Sequence, residues 1–146
     1  MHTFTTEEYI RTVTLPAMDA GLAKSGRDHS ALKIVGTPYI VTGETEEEFE
    51  QVKLAAQRQI AFYASTPAYR GVLDSIGYGD LQPELTRLSK AGQWEEMGRQ
   101  IDDTLLGKIA LVGDADQIGE QLSQRYGDIF DVCPATVFTG NGYSSG

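Results

Sequence analysis

Two spacings of apolar residues divide this chain. Tyr9, Val13, Met18 and Leu22, then Phe49, Val52, Ala56, Ile60 and Tyr63, then Ile118, Leu122 and Tyr126 recur at three- and four-residue steps, with one five-residue step from Val13 to Met18. That period predicts helices with one buried stripe. Two other stretches, Leu32–Val41 and Phe130–Phe138, are rich in β-branched and aromatic residues. Leu32–Val41 is almost continuously apolar rather than alternating, the pattern of a strand covered on both faces. Ile109–Val112 reads as a weaker third strand. Helix-rich α/β is the fold class these patterns predict.

The punctuation between the runs agrees. Thr5-Thr6-Glu7-Glu8 reads as a capping box with Thr5 as cap, Pro16 should kink or divide the first helix, and Gly26 should stop it. Thr42-Gly43 ends the first strand. Thr45-Glu46-Glu47-Glu48 opens a second helix, predicted to run to about Ala64, with its acidic residues at the positive end. Thr66-Pro67 restarts a helix. Gly77-Tyr78-Gly79-Asp80 is a loop, and short helices are predicted at Leu81–Lys90, Gln93–Arg99 and Ile101–Leu106. Asp114 caps a helix ended by Gly127, and the tail Thr139–Gly146 has linker composition and is expected to be flexible. Two parallel strands leave both sheet edges unpaired, so partner strands are expected from another copy, another chain or a further segment.

Composition narrows the partners. The chain has 146 residues, enough for one domain with a real core. Its net charge is −9, from 21 acidic and 12 basic residues. That balance excludes nucleic acid and anionic membranes as main partners, because both require clustered Lys and Arg. No apolar run approaches a membrane span. The single cysteine, Cys133, excludes an internal disulfide and fits a reducing, cytoplasmic compartment.

Five segments carry a resemblance: HTFTTEEYIRTVTLPAMDAGLAKSGRD, VTGETEEEF, QIAFYASTPAYRGVLDSIGYGDL, SKAGQWEEMGRQIDD and LVGDADQIGEQL. Together they resemble the C-terminal part of luciferase-like monooxygenases, closest to the deazaflavin (coenzyme F-420) dependent oxidoreductases. The likeness covers residues 2–138, and Phe62–Arg70 is its most specific block. It implies the C-terminal part of a (β/α)8 TIM barrel over 1–138, with Leu32–Val41 as the seventh strand and Phe130–Phe138 as the eighth, followed by the tail 139–146. It implies an oxidoreductase performing hydride transfer or monooxygenation on a small-molecule substrate, with coenzyme F-420 or FMN as cofactor. The first six strands, which hold most of the family's cofactor contacts, are not in this chain, so the resemblance implies an enzyme incomplete by itself. Completion by a barrel segment or a homo-oligomer is the expected assembly. The alternative is a non-catalytic module that oligomerises through exposed strands and binds a small ligand or partner.

Barrel enzymes place their chemistry just beyond the strand ends. On that basis His2, before the first helix, and Tyr69 and Arg70, in the helical insertion, are the candidate cofactor-binding residues. Arg70 is suited to a phosphate or acidic cofactor tail. The plainer reading makes Tyr69 a core residue and Arg70 a surface one. No catalytic residue is assigned. His29 falls on the opposite face, and Thr42-Gly43 reads as a turn. Trp94 is expected in the core, and Cys133 as a buried, inert thiol. Asp102-Asp103 reads as a helix cap rather than a carboxylate pair, since adjacent helical residues do not share a face. No His/Cys set has zinc spacing, and Gly77-Tyr78-Gly79 lacks the strand-to-helix setting of a dinucleotide loop.

Overall fold

The computed structural model describes residues 1–134 and the backbone of 136–139 and 142–145. Strand β1 (Tyr39–Val41) pairs in parallel with β2 (Ala110–Val112), Tyr39 opposite Ala110 and Val41 opposite Val112. The third strand foreseen at Ile109–Val112 is thus the direct neighbour of the first. The strand expected over Leu32–Val41 is shorter than its composition suggested. His29–Ala31 forms a 3-10 turn, Val35 makes an isolated parallel bridge to Val132, and regular pairing begins only at Tyr39. Gly36-Thr37-Pro38 interrupts the ladder, because Pro38 has no N–H to donate. Gly36 also lies against the Phe130 ring, which a Cβ there would approach to 2.1 Å.

The same parallel register (35 with 132) carries β3 (Thr136–Thr139) alongside β1, and the two backbones approach each other. Strand β4 (Gly142–Ser145) runs antiparallel to β3. Of the strand expected over Phe130–Phe138, the structure shows the isolated Val132 bridge and β3, with Ala135 outside the described residues. Of the expected flexible tail, residues 140, 141 and 146 also lie outside them.

The N-terminal helix begins one residue later than the capping-box pattern suggested. Thr6, not Thr5, caps α1 (Glu7–Tyr9), its hydroxyl accepting from the Tyr9 amide at 3.1 Å. Thr6 is buried and Thr5 is not, so packing selects the cap. A π-helical turn over Ile10–Thr14 then leads into α2 (Leu15–Ser25), with Pro16 in its first turn. The wider turn takes up the register change where Pro16 cannot donate. Gly26 closes α2 at φ 65°, as a left-handed stop. Helix α3 spans Glu46–Ala64, capped by Thr45. A 3-10 turn (Pro67–Tyr69) leads to α4 (Arg70–Asp74), then α5 (Leu81–Lys90) and α6 (Trp94–Arg99). Helix α7 covers Asp103–Ile109, not Ile101–Leu106, because Asp102 caps it by accepting from the Leu105 amide at 2.8 Å. Helix α8 (Ala115–Tyr126) has the full Asp114/Gln117 capping box.

The two faces of the short sheet feed two cores. Tyr39, Val41 and Ala110 pack with Ala56, Ile60 and Ala64 of α3 and with Leu85, Leu88, Leu105 and Leu106. Ile40 and Leu111 pack on the other face with Ile10, Ile118, Tyr126 and Ile129. Both faces are covered, as the continuous apolar composition requires. Each fully buried Leu or Ile here contributes about 1.5–3 kcal/mol of transfer free energy.

The outer edge of β2 is closed by side chains. The Gln121 amide accepts from Val112 N–H at 3.3 Å and donates to the Val112 carbonyl at 2.8 Å. Arg125 donates to the Ala110 carbonyl at 3.2 Å, and the Ala110 amide donates to Leu106 at the end of α7. Helix α8 therefore seals this strand, correcting the expectation that both sheet edges stay unpaired. Val35 and Val132 remain 41% and 47% exposed where the parallel ladder begins.

Arg11 ties α1 and the π-turn to the end of α8. It donates to both carboxylate oxygens of Asp128 at 2.9 Å, to Glu7 at 2.8 Å and to the Arg125 carbonyl at 3.0 Å. The hydrogen bonds from Arg11 hold the Asp128 carboxyl below the ordinary carboxylate range. A carboxyl whose folded value is depressed contributes stability above its unfolded value, near 3.9, and loses it as pH falls through the folded value. Asp128→Asn should therefore reduce stability near neutrality and leave it unchanged in strong acid. Urea midpoints from about pH 7 down to about pH 2 check this; parallel curves for the two proteins would contradict it.

Candidate functional site

Four aromatic rings from three separate segments meet at one end of the larger core. The segment before α1 supplies His2 and Phe4, α3 supplies Tyr63 near its end, and the following 3-10 turn supplies Tyr69. His2 stacks on Tyr69 (centroids 5.1 Å apart, planes at 27°) and meets Tyr63 edge-on at 5.0 Å. Phe4 contacts Tyr69 at 5.5 Å and Tyr63 at 6.1 Å, and Tyr63 and Tyr69 are perpendicular at 5.7 Å. Such pairs are worth about 0.5–1.5 kcal/mol each beyond burial.

Local structure explains the meeting. The chain leaves α3 through Ser65, and Thr66 N–H donates to the Tyr63 carbonyl at 3.0 Å. Pro67 fixes the start of the 3-10 turn, and Tyr69 N–H closes on Thr66 O at 3.0 Å. This tight reversal brings Tyr69 back toward Tyr63. Gln82 and Thr86 of α5 both donate to the Ser65 carbonyl, at 3.1 and 2.6 Å, and hold the corner from behind. On the other side Met1 N donates to Val35 O, and the Thr3 and Thr37 hydroxyls lie 3.2 Å apart. These contacts lay residues 1–3 beside the start of the sheet, and buried Phe4 anchors them. His2 Nδ1 accepts from the Phe4 amide at 3.0 Å, and its Nε2 lies 3.4 Å from the Tyr69 hydroxyl.

A cleft of about 310 Å³ opens against this cluster, walled chiefly by His2, Phe4, Tyr9, Tyr69 and Val72. Two of the three sequence candidates, His2 and Tyr69, thus share one site. Arg70 is exposed on α4, with its guanidinium 3.5 Å from Asp74, and does not line this cleft. His29 pairs with Asp19 at 2.7 Å, away from the aromatic cluster. Trp94, expected in the core, is 52% exposed, because α6 buries Met97 and Gly98 instead. Cys133, expected to be buried, is only half-buried; burial still pushes its thiol up from the ordinary value, which suppresses the reactive thiolate. Asp102 caps α7, as its sequence context indicated. Phe4 and Tyr63 were not foreseen as site residues. The signal was the density of aromatic residues in Phe62–Arg70, which reads as core packing until the turn at Pro67 is known.

The cleft suits an aromatic ring and not a phosphate. Its walls offer ring faces, an imidazole and the hydroxyl-bearing side chains of Tyr69, Tyr9, Thr5 and Thr14. The one guanidinium nearby in sequence, Arg70, faces Asp74. Among the described residues no group of His, Cys, Asp and Glu is arranged to hold a metal. No helix among them is long and apolar enough to cross a membrane.

A helix-rich α/β fold is what the sequence resemblance implied for this region. The chain belongs to the luciferase-like monooxygenase family, whose sequence pattern it matches over residues 1–131. It is 46% identical over 130 residues to uncharacterized proteins of Mycobacterium bovis and Mycobacterium tuberculosis. That match covers 89% of this chain and 38% of each relative, so the chain spans well under half their length. No solved structure matches it significantly.

Proposed function

We propose that the chain is the C-terminal portion of a (β/α)8 luciferase-like oxidoreductase, and that the His2–Tyr69 cleft is its contribution to binding a flavin-type ring. The observation that carries this reading is the cluster of His2, Phe4, Tyr63 and Tyr69, of which His2, Phe4 and Tyr69 line one open cleft, in a member of this family. Coenzyme F-420 and FMN are the two candidate cofactors. When bound, such a ring supplies the hydride or oxygen chemistry, and the protein positions it and its small-molecule substrate. His2 and Tyr69 would contact the ring. A phosphate or acidic tail would be held by groups beyond the cleft, Arg70 among them only if it leaves Asp74. A cytoplasmic location accords with this chemistry and with the single cysteine.

The exposure of Val35 and Val132 favours an assembly that covers the start of the parallel ladder, either further barrel strands or a second copy. The competing reading is a non-catalytic module that uses this ladder to self-associate and binds a small ligand or partner.

Absorbance and fluorescence titrations of the purified chain with FMN and with coenzyme F-420 separate the two. A perturbed spectrum with saturable binding is expected for at least one cofactor. Light scattering on the same samples reports whether the binding species is a monomer or an oligomer. An oligomer that leaves both spectra unchanged at saturating cofactor would establish the module reading instead.

A further inference from the structure

The hydrogen bonds around His2 fix which way protons point in this cleft. Nδ1 accepts from the Phe4 amide at 3.0 Å, so its lone pair is engaged and it carries no proton. The neutral imidazole must then hold its proton on Nε2. Nε2 faces the Tyr69 hydroxyl at 3.4 Å. With Nε2–H as donor, the Tyr69 oxygen is the acceptor, and its own proton is left over. Among the described residues no protein acceptor takes that proton. Tyr69 is partly exposed at the wall of the cleft, where apolar Phe4, Ala68 and Val72 stand beside the hydroxyl-bearing Thr5, Tyr9 and Thr14.

From this arrangement we infer that Tyr69 Oη–H is an oriented hydrogen-bond donor that the cleft presents to its ligand, and that His2 is a positioning residue that holds the hydroxyl in that sense. The matching ligand is a planar aromatic ring carrying a carbonyl or anionic oxygen. Its ring stacks among the aromatic side chains and its oxygen accepts from Tyr69. The inference rests on the reading of the cleft as a ring site and adds the polarity of recognition at Tyr69: an acceptor on the ligand is required there.

Riboflavin, a ring with carbonyls and no phosphate, is the probe, titrated into the whole chain and followed by its fluorescence. Tyr69→Phe keeps the ring contacts and removes only the hydroxyl, and should weaken binding about tenfold. His2→Asn keeps an acceptor for the Phe4 amide but loses the contact with Tyr69, and should weaken binding about threefold. Ala68 also lines the cleft, so Ala68→Trp fills it and should abolish binding. Long-range nitrogen–proton correlation spectra of the unliganded chain should show His2 protonated at Nε2 alone at about pH 8.

The outcomes separate two failures. Loss of binding in Ala68→Trp with undiminished affinity in Tyr69→Phe would overturn this inference and leave the ring site standing. An Nδ1–H tautomer of His2 would do the same. No riboflavin binding by the unaltered chain, or binding indifferent to Ala68→Trp, would remove the ring site and the inference with it.

Discussion

Alanine at position 43 is expected to destabilise the protein by about 3 kcal/mol, whereas alanine at position 21 should stabilise it by about 0.5–1 kcal/mol. The two substitutions are chemically identical and differ only in surroundings. A Cβ on Gly43 would lie 2.4 Å from the backbone nitrogen of Phe49 and 2.8 Å from its Cα. Those atoms belong to the first turn of α3, where Phe49 N–H donates to Thr45 O at 2.9 Å. Backbone held by the cap cannot step aside as a flexible side-chain tip can. The turn from β1 into α3 must open, or the helix must shift against the larger core. Gly21 sits in α2 with nothing within 4 Å of its Cβ position. There alanine only restricts the unfolded chain and raises helix propensity. For a chain of this size each kcal/mol moves the melting temperature by roughly 2–4 °C, so calorimetry should show shifts of opposite sign. Equal melting temperatures for the two variants would refute the close approach of the turn to α3.

The second large effect is expected at Gln121. Its side chain satisfies both outward backbone groups of Val112. Gln121→Ala leaves an N–H and a C=O of the sheet edge without partners and should cost about 1–2 kcal/mol, since Val112 is only partly buried and water recovers some of the loss. The neighbouring Gln124 bonds only Glu120 on the exposed face of α8, so Gln124→Ala should change stability by less than about 0.5 kcal/mol. An uncovered strand edge is also a template for another strand. Gln121→Ala should therefore add concentration-dependent association, visible by light scattering, that Gln124→Ala does not show. If both variants stay equally stable and equally dispersed, the edge is not sealed by α8.

These two predictions also mark how far the sequence could be read. The helices were legible because their signals are local. Thr45, Asp102 and Asp114 each act on an amide three residues away, and apolar spacing along α3 and α8 needs no knowledge of the rest of the fold. The exceptions have physical causes. The first cap fell at Thr6 because burial chose between two adjacent threonines. Helix α7 began at Asp103 because Asp102, not the apolar Ile101, set its start. The strand Leu32–Val41 was overextended because Gly36 and Pro38 interrupt pairing, an effect that depends on where Phe130 and the neighbouring strand lie.

The candidate site was half legible. His2 and Tyr69 were singled out from the resemblance and from barrel geometry, and they do meet. Their joint environment was not readable, since Phe4 and Tyr63 carry no mark that separates a site wall from core packing. Arg70 is adjacent to Tyr69 in sequence, yet the turn sends it to Asp74 on a separate surface.

By itself, then, the sequence determined the helix-rich α/β class, most element boundaries and the family. All of these rest on composition or on interactions within a few residues. The tertiary structure alone decided that Ala110–Val112 is the partner of Tyr39–Val41, that α8 closes its outer edge, and that His2 meets Tyr69 across a separation of 67 residues. Those are long-range pairings, fixed by the packing of two cores on opposite faces of one short sheet, and no local pattern encodes which segments come together.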